Sequence, residues 1–116
     1  MADDNSGLLF FIVDDDEMII ELQKALLEIA GHRVVSTTSS ADALERIPVV
    51  RPDCVITDIM MPGMDGQALL RALRQDDTLA EMRVIMVSAK SYEFDRKQSL
   101  KLGADGFITK PIDRET

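Results

Sequence analysis

Residues 52–66 have the sequence PDCVITDIMMPGMDG. The run DCVIT at 53–57 lacks the polar–apolar alternation of a half-exposed strand, which is typical of a strand covered on both faces of a parallel sheet. The run is followed by Asp58, and the proline and glycines of the next loop favour a tight turn. This stretch therefore predicts a buried strand with a carboxylate at its carboxyl end.

Similar apolar runs lie on both sides of this strand. They are LLFFIV at 8–13, RVVS at 33–36, RVIMV at 83–87 and GFIT at 106–109. Longer amphipathic segments separate the runs, and such repeats with short connections form right-handed crossovers in a parallel sheet with helices on both faces. The pattern predicts a doubly wound α/β fold of the flavodoxin-like type, with five parallel strands in the order 2-1-3-4-5.

Two helices are predicted in the first half of the chain. Residues 17–30 carry apolar side chains at helical spacing. A second helix is expected to begin at a cap formed by Ser39 or Ser40 and to end at Pro48. Its inward residues are predicted to be Ala41, Leu44 and Ile47.

Two more helices are predicted in the second half. One follows Gly66, with an apolar row formed by Leu69, Leu70 and Leu73, and with Arg71, Arg74 and Gln75 facing water. The other runs from Tyr92 to Leu102 and is mostly polar. Because its apolar anchors are few, this fourth helix is expected to be loosely held; those anchors are Phe94, Leu100 and Leu102.

Composition narrows the possible functions. A length of 116 residues suits one domain, and a formal net charge of -8 argues against direct binding to nucleic acid or to an anionic membrane. The longest strongly apolar stretch, Leu8 to Val13, is far shorter than the roughly 20 residues that span a bilayer. The N-terminus MADDNSG has no basic start or cleavage-site pattern, so the protein is expected to be cytoplasmic. Cys54 is the single cysteine, so the chain has no intramolecular disulfide, and Cys54 is expected to pack as a small apolar residue.

Reactive side chains follow four of the predicted strands. Three consecutive aspartates begin at Asp14, and Asp58, Ser88 and Lys110 stand at other strand ends. In an open parallel sheet, ligands bind beyond these carboxyl ends. Clustered carboxylates repel one another unless a cation compensates, and carboxylates without histidine or cysteine nearby suit Mg²⁺. A phosphoryl group is then the natural ligand, with Asp58 as the nucleophile because it stands alone on the central strand.

Four ordered motifs carry a resemblance to a known family. They are FIVDDDE at 11–17, PDCVITDIMMPGMDG at 52–66, VIMVSAK at 84–90 and GADGFITKP at 103–111. Together they resemble the receiver domain of two-component response regulators, which is a CheY-like family, from about Leu8 to the C-terminus.

The resemblance implies a role for each site residue. Asp58 is implied to be the phosphorylated residue, and Asp15, Asp58 and the backbone carbonyl of Met60 to bind Mg²⁺. Asp14 is implied to act on the metal chiefly through water.

Three further positions match residues that contact or respond to the phosphoryl group. Ser88 matches the hydroxyl position, and Lys110 matches the lysine that pairs with the phosphate, fixed by a cis peptide before Pro111. Phe107 occupies the position of the switch aromatic.

The resemblance also implies function and organisation. Residues 8–116 are expected to form a receiver domain after a flexible N-terminus, residues 1–7. The implied donor of the phosphoryl group is a sensor histidine kinase or a histidine phosphotransfer protein. The domain is implied to catalyse its own phosphorylation and then to signal by changing conformation. It is therefore expected to be a signalling domain and not a conventional enzyme. The sequence ends at IDRET, where such a domain would begin a fifth helix. We therefore expect the fifth helix and any output domain to lie outside this chain, and a homodimer stays possible.

Two rival functions stay open at this point. Asp14-x-Asp16 after the first strand resembles the pattern of haloacid dehalogenase-like phosphohydrolases, in which Asp14 would be the nucleophile. That hypothesis leaves Asp58 without a role. A flavodoxin relative that binds FMN is the other rival, although the acidic first loop would repel the phosphate of FMN.

Overall fold

A computed structural model describes residues 7–61, 63–88 and 93–109 of the chain. Five strands and four α-helices alternate along these residues. They are β1 (Leu9–Val13), α1 (Glu17–Ile29), β2 (Arg33–Thr37), α2 (Ser40–Val50), β3 (Cys54–Asp58), α3 (Gly66–Arg74), β4 (Arg83–Ser88), α4 (Glu93–Lys101) and β5 (Gly106–Thr109), with a short 3-10 turn at Asp77–Leu79 before β4.

All strands are parallel and form one sheet in the order β2-β1-β3-β4-β5. The predicted doubly wound topology is therefore confirmed. The central strand β3 pairs with β1 and with β4, and four of its five residues are buried. The prediction of a continuously covered strand is confirmed as well, and it places Asp58 near the middle of the carboxyl edge.

Side chains alternate between the two faces of the sheet, because successive residues of a strand point to opposite sides. One face packs against α2 and α3 and forms the main core. Its members on the strands include Phe11, Val13, Val55, Val84 and Met86, and its members on the helices include Ala43, Ile47, Leu69, Leu70 and Leu73.

The opposite face packs against α1 and keeps an apolar groove of about 250 Å³. The groove is lined by Phe10, Gln23, Leu26, Leu27, Ile56, Ile85 and Ile108. The described residues supply four α-helices, and residues 110–116, where a fifth helix was expected to begin, lie outside them. Within the described part of the chain, no helix is long and apolar enough to span a bilayer.

The first two helices begin where the sequence indicates. The Asp16 side chain caps α1 by accepting a hydrogen bond from the Met18 N–H at 2.9 Å. The Ser39 side chain caps α2 in the same way, accepting from the Asp42 N–H at 3.1 Å. Polar caps of this kind satisfy backbone donors that have no partner within the helix.

The predicted end of α2 is wrong, because the helix continues through Pro48 to Val50. Proline lacks the N–H that would bond to the carbonyl four residues earlier, but so near the helix end only one hydrogen bond is lost. The chain then turns at Arg51, which has a left-handed φ of 54° and donates its N–H to the Ile47 carbonyl at 2.7 Å. The predicted inward position of Ala41 is also wrong, since Ala41 is exposed and Ala43 is buried.

The later helices confirm the apolar row of α3 but correct two details. Leu69, Leu70 and Leu73 are buried. Arg74 does not simply face water, since its guanidinium donates hydrogen bonds to groups beyond α3. In α4, Leu100 is 39% exposed whereas Ser99 is fully buried, so a polar side chain takes an inward position. The predicted anchor Phe94 has a side chain outside the described residues.

Candidate metal centre

The predicted site residues lie at the carboxyl edge of the sheet. Asp14 follows the last residue of β1, Asp58 ends β3, and Ser88 ends β4. Val13 is paired with Thr57 in the neighbouring strand, so the next residues, Asp14 and Asp58, extend side by side beyond this pair. The parallel topology thus brings together side chains that are far apart in sequence.

Three carboxylates form an acidic cluster at this edge. One oxygen from each of Asp14, Asp15 and Asp58 lies within 4.8 Å of the others. Asp14 is 1% exposed and Asp58 is 7% exposed, whereas Asp15 is exposed to solvent. The cluster therefore combines two buried acids with one that faces water.

The chemistry of these donors fits a hard divalent cation. Carboxylate oxygens suit Mg²⁺, which binds through one or two carboxylates and keeps several waters. Among the described residues, the acidic cluster is a group of side chains placed to bind a metal, and all three of its donors are carboxylates. Bringing carboxylates so close together costs electrostatic free energy, and a bound cation removes that cost.

Hydrogen bonds hold the first acid in place. The Asp14 N–H donates to the Thr37 carbonyl of β2 at 3.2 Å, which fixes the backbone just beyond β1. An Asp14 carboxylate oxygen, Oδ1, accepts from the Asp16 N–H at 2.9 Å. Asp16 in turn caps α1, so the loop containing the acidic cluster leads directly into a helix start.

The backbone around Asp58 is fixed from several directions. The next residue, Ile59, donates its N–H to the Val87 carbonyl of β4 at 3.0 Å, and the Thr57 hydroxyl donates to the Asp58 carbonyl at 3.2 Å. Gly66 lies so close that a Cβ atom there would overlap the Asp58 carbonyl oxygen. Asp58 is thus held by the sheet and by the start of α3 together.

The hydroxyl and aromatic positions occupy the neighbouring strands. Ser88 is 2% exposed and is paired with Thr109 of β5. Phe107 is paired with Met86, is partly buried, and packs against the main core. Its proposed switching role stays a prediction.

Met60 and Lys110 complete the predicted site. The side chain of Met60 is 72% exposed, in keeping with an expectation that involves only its backbone carbonyl. The role of that carbonyl stays a prediction. Lys110 and the peptide bond before Pro111 lie outside the described residues.

Sequence reasoning missed the contacts that support the site. Nothing in the residue pattern singles out Thr37, which acts through its backbone carbonyl. Gly66 was predicted to allow a tight path of the loop beside Asp58 or to start α3, but its contact with the Asp58 carbonyl was not predicted. Gly66 directly follows Asp65, which caps α3, but this pattern does not show which atom Gly66 approaches.

Comparison with known proteins assigns the family. The family model for the response regulator receiver domain matches residues 10–116. The chain is 36% identical over 101 residues to the alkaline phosphatase synthesis transcriptional regulatory protein PhoP of Bacillus subtilis, covering 87% of this chain and 41% of that protein. It is 36% identical over 106 residues to the phosphate regulon transcriptional regulatory protein PhoB of Pseudomonas aeruginosa, covering 91% of this chain and 46% of that protein. The chain thus spans less than half the length of these two relatives.

Solved structures agree with this assignment. The BeF3-activated N-terminal receiver domain of RstA from Klebsiella pneumoniae has a TM-score of 0.84 and 29% identity, covering 92% of this chain and 89% of that one. The chemotaxis protein CheY4 of Vibrio cholerae shares the fold with a TM-score of 0.88 at 24% identity, covering 95% of this chain and 92% of that one. The chain belongs to the response regulator receiver domain family of two-component signalling proteins.

Proposed function

We propose that this receiver domain accepts a phosphoryl group on Asp58 in a reaction that depends on Mg²⁺. The observation that carries the proposal is the acidic cluster, in which the Asp58 carboxylate lies within 4.8 Å of those of Asp14 and Asp15. A carboxylate with acids so near is a poor site for an anionic phosphoryl group unless a cation is bound. The same arrangement with a cation suits phosphoryl transfer.

In the proposed reaction, an Asp58 carboxylate oxygen attacks the phosphorus of a phosphohistidine. A P–O bond forms while the P–N bond to the donor imidazole breaks, and the product is an acyl phosphate. Asp15, Asp58 and the Met60 carbonyl would hold Mg²⁺, with Asp14 acting through water, and the metal would neutralise the phosphoryl oxygens. The hydrogen bonds that fix Asp14 and Asp58 keep the acids in position before the donor arrives.

The remaining site residues respond to the new charge. Ser88 would donate its hydroxyl hydrogen to a phosphoryl oxygen, and Lys110 would form an ion pair with it. These contacts would bias Phe107 towards an inward position and shift the polar helix α4. The proposal is supported by the position of Ser88 at the same sheet edge as Asp58.

We propose a sensor histidine kinase or a histidine phosphotransfer protein as donor, acting in the cytoplasm where ATP phosphorylates such donors. Receiver domains are signalling domains, so a partner that recognises the phosphorylated surface completes the pathway. The relatives are named as transcriptional regulators and are more than twice as long as the matched region. We propose that an output domain, linked or separate, contacts DNA, because the net charge of -8 disfavours DNA contact by this chain.

A phosphorylation assay tests the acceptor. The chain is incubated with phosphoramidate and Mg²⁺, and intact-mass spectrometry measures the added phosphoryl group. We expect one group on the wild-type chain, none on Asp58→Asn, and none after Mg²⁺ is removed with a chelator. Asp77→Asn is the matched control, since Asp77 is an exposed aspartate in the 3-10 turn.

Asp58→Asn together with Asp14→Asn separates this proposal from the phosphohydrolase alternative. That alternative predicts turnover of small phosphomonoesters that is lost in Asp14→Asn and kept in Asp58→Asn. Undiminished labelling of Asp58→Asn would rule out the proposed acceptor.

A further inference from the structure

The start of α3 lies directly against the backbone of the proposed phosphoacceptor. The Gly66 N–H donates to the Ile59 carbonyl at 2.8 Å. A Cβ atom at Gly66 would overlap the Asp58 carbonyl oxygen, and the next nearest atoms belong to Asp58 and Ile59 as well. Because close-packed backbone atoms leave no slack, a shift of residues 58–59 must displace the first turn of α3.

The next residue along α3 contacts α4. The Gln67 side-chain amide, Nε2, donates to the Ser99 hydroxyl oxygen at 3.2 Å. Ser99 is fully buried and Gln67 is partly buried, so the hydrogen bond is shielded from water. Adjacent residues of one helix turn thus contact the acceptor strand and the fourth helix.

The described side chains of α4 differ in exposure. Lys97, Leu100 and Lys101 are exposed, whereas Ser99 is buried. Leu102, just beyond the helix, packs against the main core. Within the described part of the chain, a side-chain hydrogen bond from Gln67 to Ser99 joins α3 to α4.

The far end of α3 is fixed to a different element. Arg74 donates to the Gly103 carbonyl at 3.0 Å and to the Asp105 carboxylate at 2.8 Å, in the segment between α4 and β5. That contact lies at the C-terminal end of α3, whereas Gly66 and Gln67 lie at its N-terminal end, next to Asp58. Within the described residues, the end of α3 that lies next to Asp58 is therefore also the end that contacts α4.

We propose that the hydrogen bond between Gln67 and Ser99 transmits the state of Asp58 to α4. This inference rests on the proposed function and specifies its regulation. Binding of a phosphoryl group displaces the Asp58 backbone, Gly66 moves with it, and Gln67 pulls on Ser99. Coupling of this kind travels through contiguous packed and hydrogen-bonded groups, and it is demonstrated only by a measured coupling between the sites.

Hydrogen exchange measures that coupling. Amide exchange in residues 96–101 is followed with Mg²⁺ alone and with Mg²⁺ and beryllofluoride, which mimics the phosphoryl group. For the wild-type chain we expect beryllofluoride to change these exchange rates by at least about five-fold, the lower end of typical allosteric couplings. We expect Gln67→Ala and Ser99→Ala still to bind beryllofluoride. In each variant, the logarithm of the change in exchange rate should be less than half of the wild-type value.

A double variant and a control make the test specific. Gln67→Ala/Ser99→Ala should respond like either single variant, because one shared interaction is lost only once. Gln98→Ala, a neighbouring polar residue on α4, should keep the wild-type response. Two outcomes would overturn the coupling alone. In the first, both single variants bind beryllofluoride and respond like the wild-type chain. In the second, the wild-type chain binds beryllofluoride but α4 does not respond. No beryllofluoride binding by the wild-type chain would remove the proposed function and the coupling with it.

Discussion

Burial controls the chemistry of Cys54, the single cysteine of the chain. Burial raises the pKa of the Cys54 thiol from 9.0 to about 11, and the charge of Asp105 adds to the effect. The thiol stays protonated in the folded chain at neutral pH, which makes it a poor nucleophile. The expectation that Cys54 packs as a small apolar residue is confirmed by its exposure of 5%.

The shifted pKa of Cys54 makes stability depend on alkaline pH. Below pH 9 the thiol is protonated in the folded and unfolded states, so its contribution is complete. Above that pH the unfolded state loses the proton first, and the contribution disappears as the pH rises through about 11. At pH 10.5 the loss amounts to about 2 kcal/mol.

Urea unfolding of wild type and Cys54→Ala at pH 8 and pH 10.5 measures that loss. The wild-type free energy of unfolding should fall more than that of the variant. An equal fall in both proteins would show that Cys54 does not contribute.

The site residues differ in how far the sequence reveals them. Asp14, Asp58 and Ser88 follow or end apolar runs, and the rule that parallel strands share a carboxyl edge is enough to bring them together. Gln67 and Ser99 carry no such signal, because their contact depends on how α3 and α4 are placed side by side. Packing between elements, which decides that placement, is not encoded in local periodicity.

At the scale of elements, Arg74 joins α3 to the sheet and to the segment before β5. Its guanidinium donates to the carbonyls of Met82 and Gly103 and to the Asp105 carboxylate, at 2.7, 3.0 and 2.8 Å. The same carboxylate oxygen of Asp105 accepts the Val84 N–H at 2.8 Å. One partly buried cation thus binds two backbone carbonyls and a carboxylate in the segments that precede β4 and β5.

Replacing Arg74 with leucine should lower the free energy of unfolding by about 2–3 kcal/mol, because two carbonyls and a carboxylate lose a charged donor. Arg71→Leu is the matched control on the same helix, since Arg71 is exposed, and it should change stability by less than about 0.5 kcal/mol. Denaturation in urea gives both values. Equal effects of the two substitutions would contradict the proposed role of Arg74.

Element boundaries show where sequence reasoning ends. The apolar runs predict each strand to within about one residue at each end, since burial on both faces leaves a strong compositional signal. The extension of α2 past Pro48 was not predicted. The helix continues because a proline near a helix end removes one hydrogen bond without ending the helix. The prediction that Arg74 faces water was wrong. Helical periodicity gives the direction of a side chain, but it does not show which distant groups a long side chain contacts.

At the scale of the whole molecule, the described residues cover the two faces of the sheet unequally. The face against α2 and α3 forms the continuous core, whereas the face against α1 keeps the groove of about 250 Å³. Gln23 lines this groove at 5% exposure, and its Oε1 atom has no hydrogen-bond partner among the described residues. A buried acceptor without a partner costs about 1–3 kcal/mol.

Gln23→Leu should therefore raise the free energy of unfolding by about 1 kcal/mol, because leucine fits the apolar lining and removes the unsatisfied oxygen. Gln75→Leu, an exposed change of the same kind, should be neutral to within about 0.5 kcal/mol. Both values come from urea denaturation of the 116-residue chain. A fall in stability for Gln23→Leu would mean that the Gln23 side-chain amide has a hydrogen-bond partner in the folded chain. Gln23 would then not be an unsatisfied polar group in the groove.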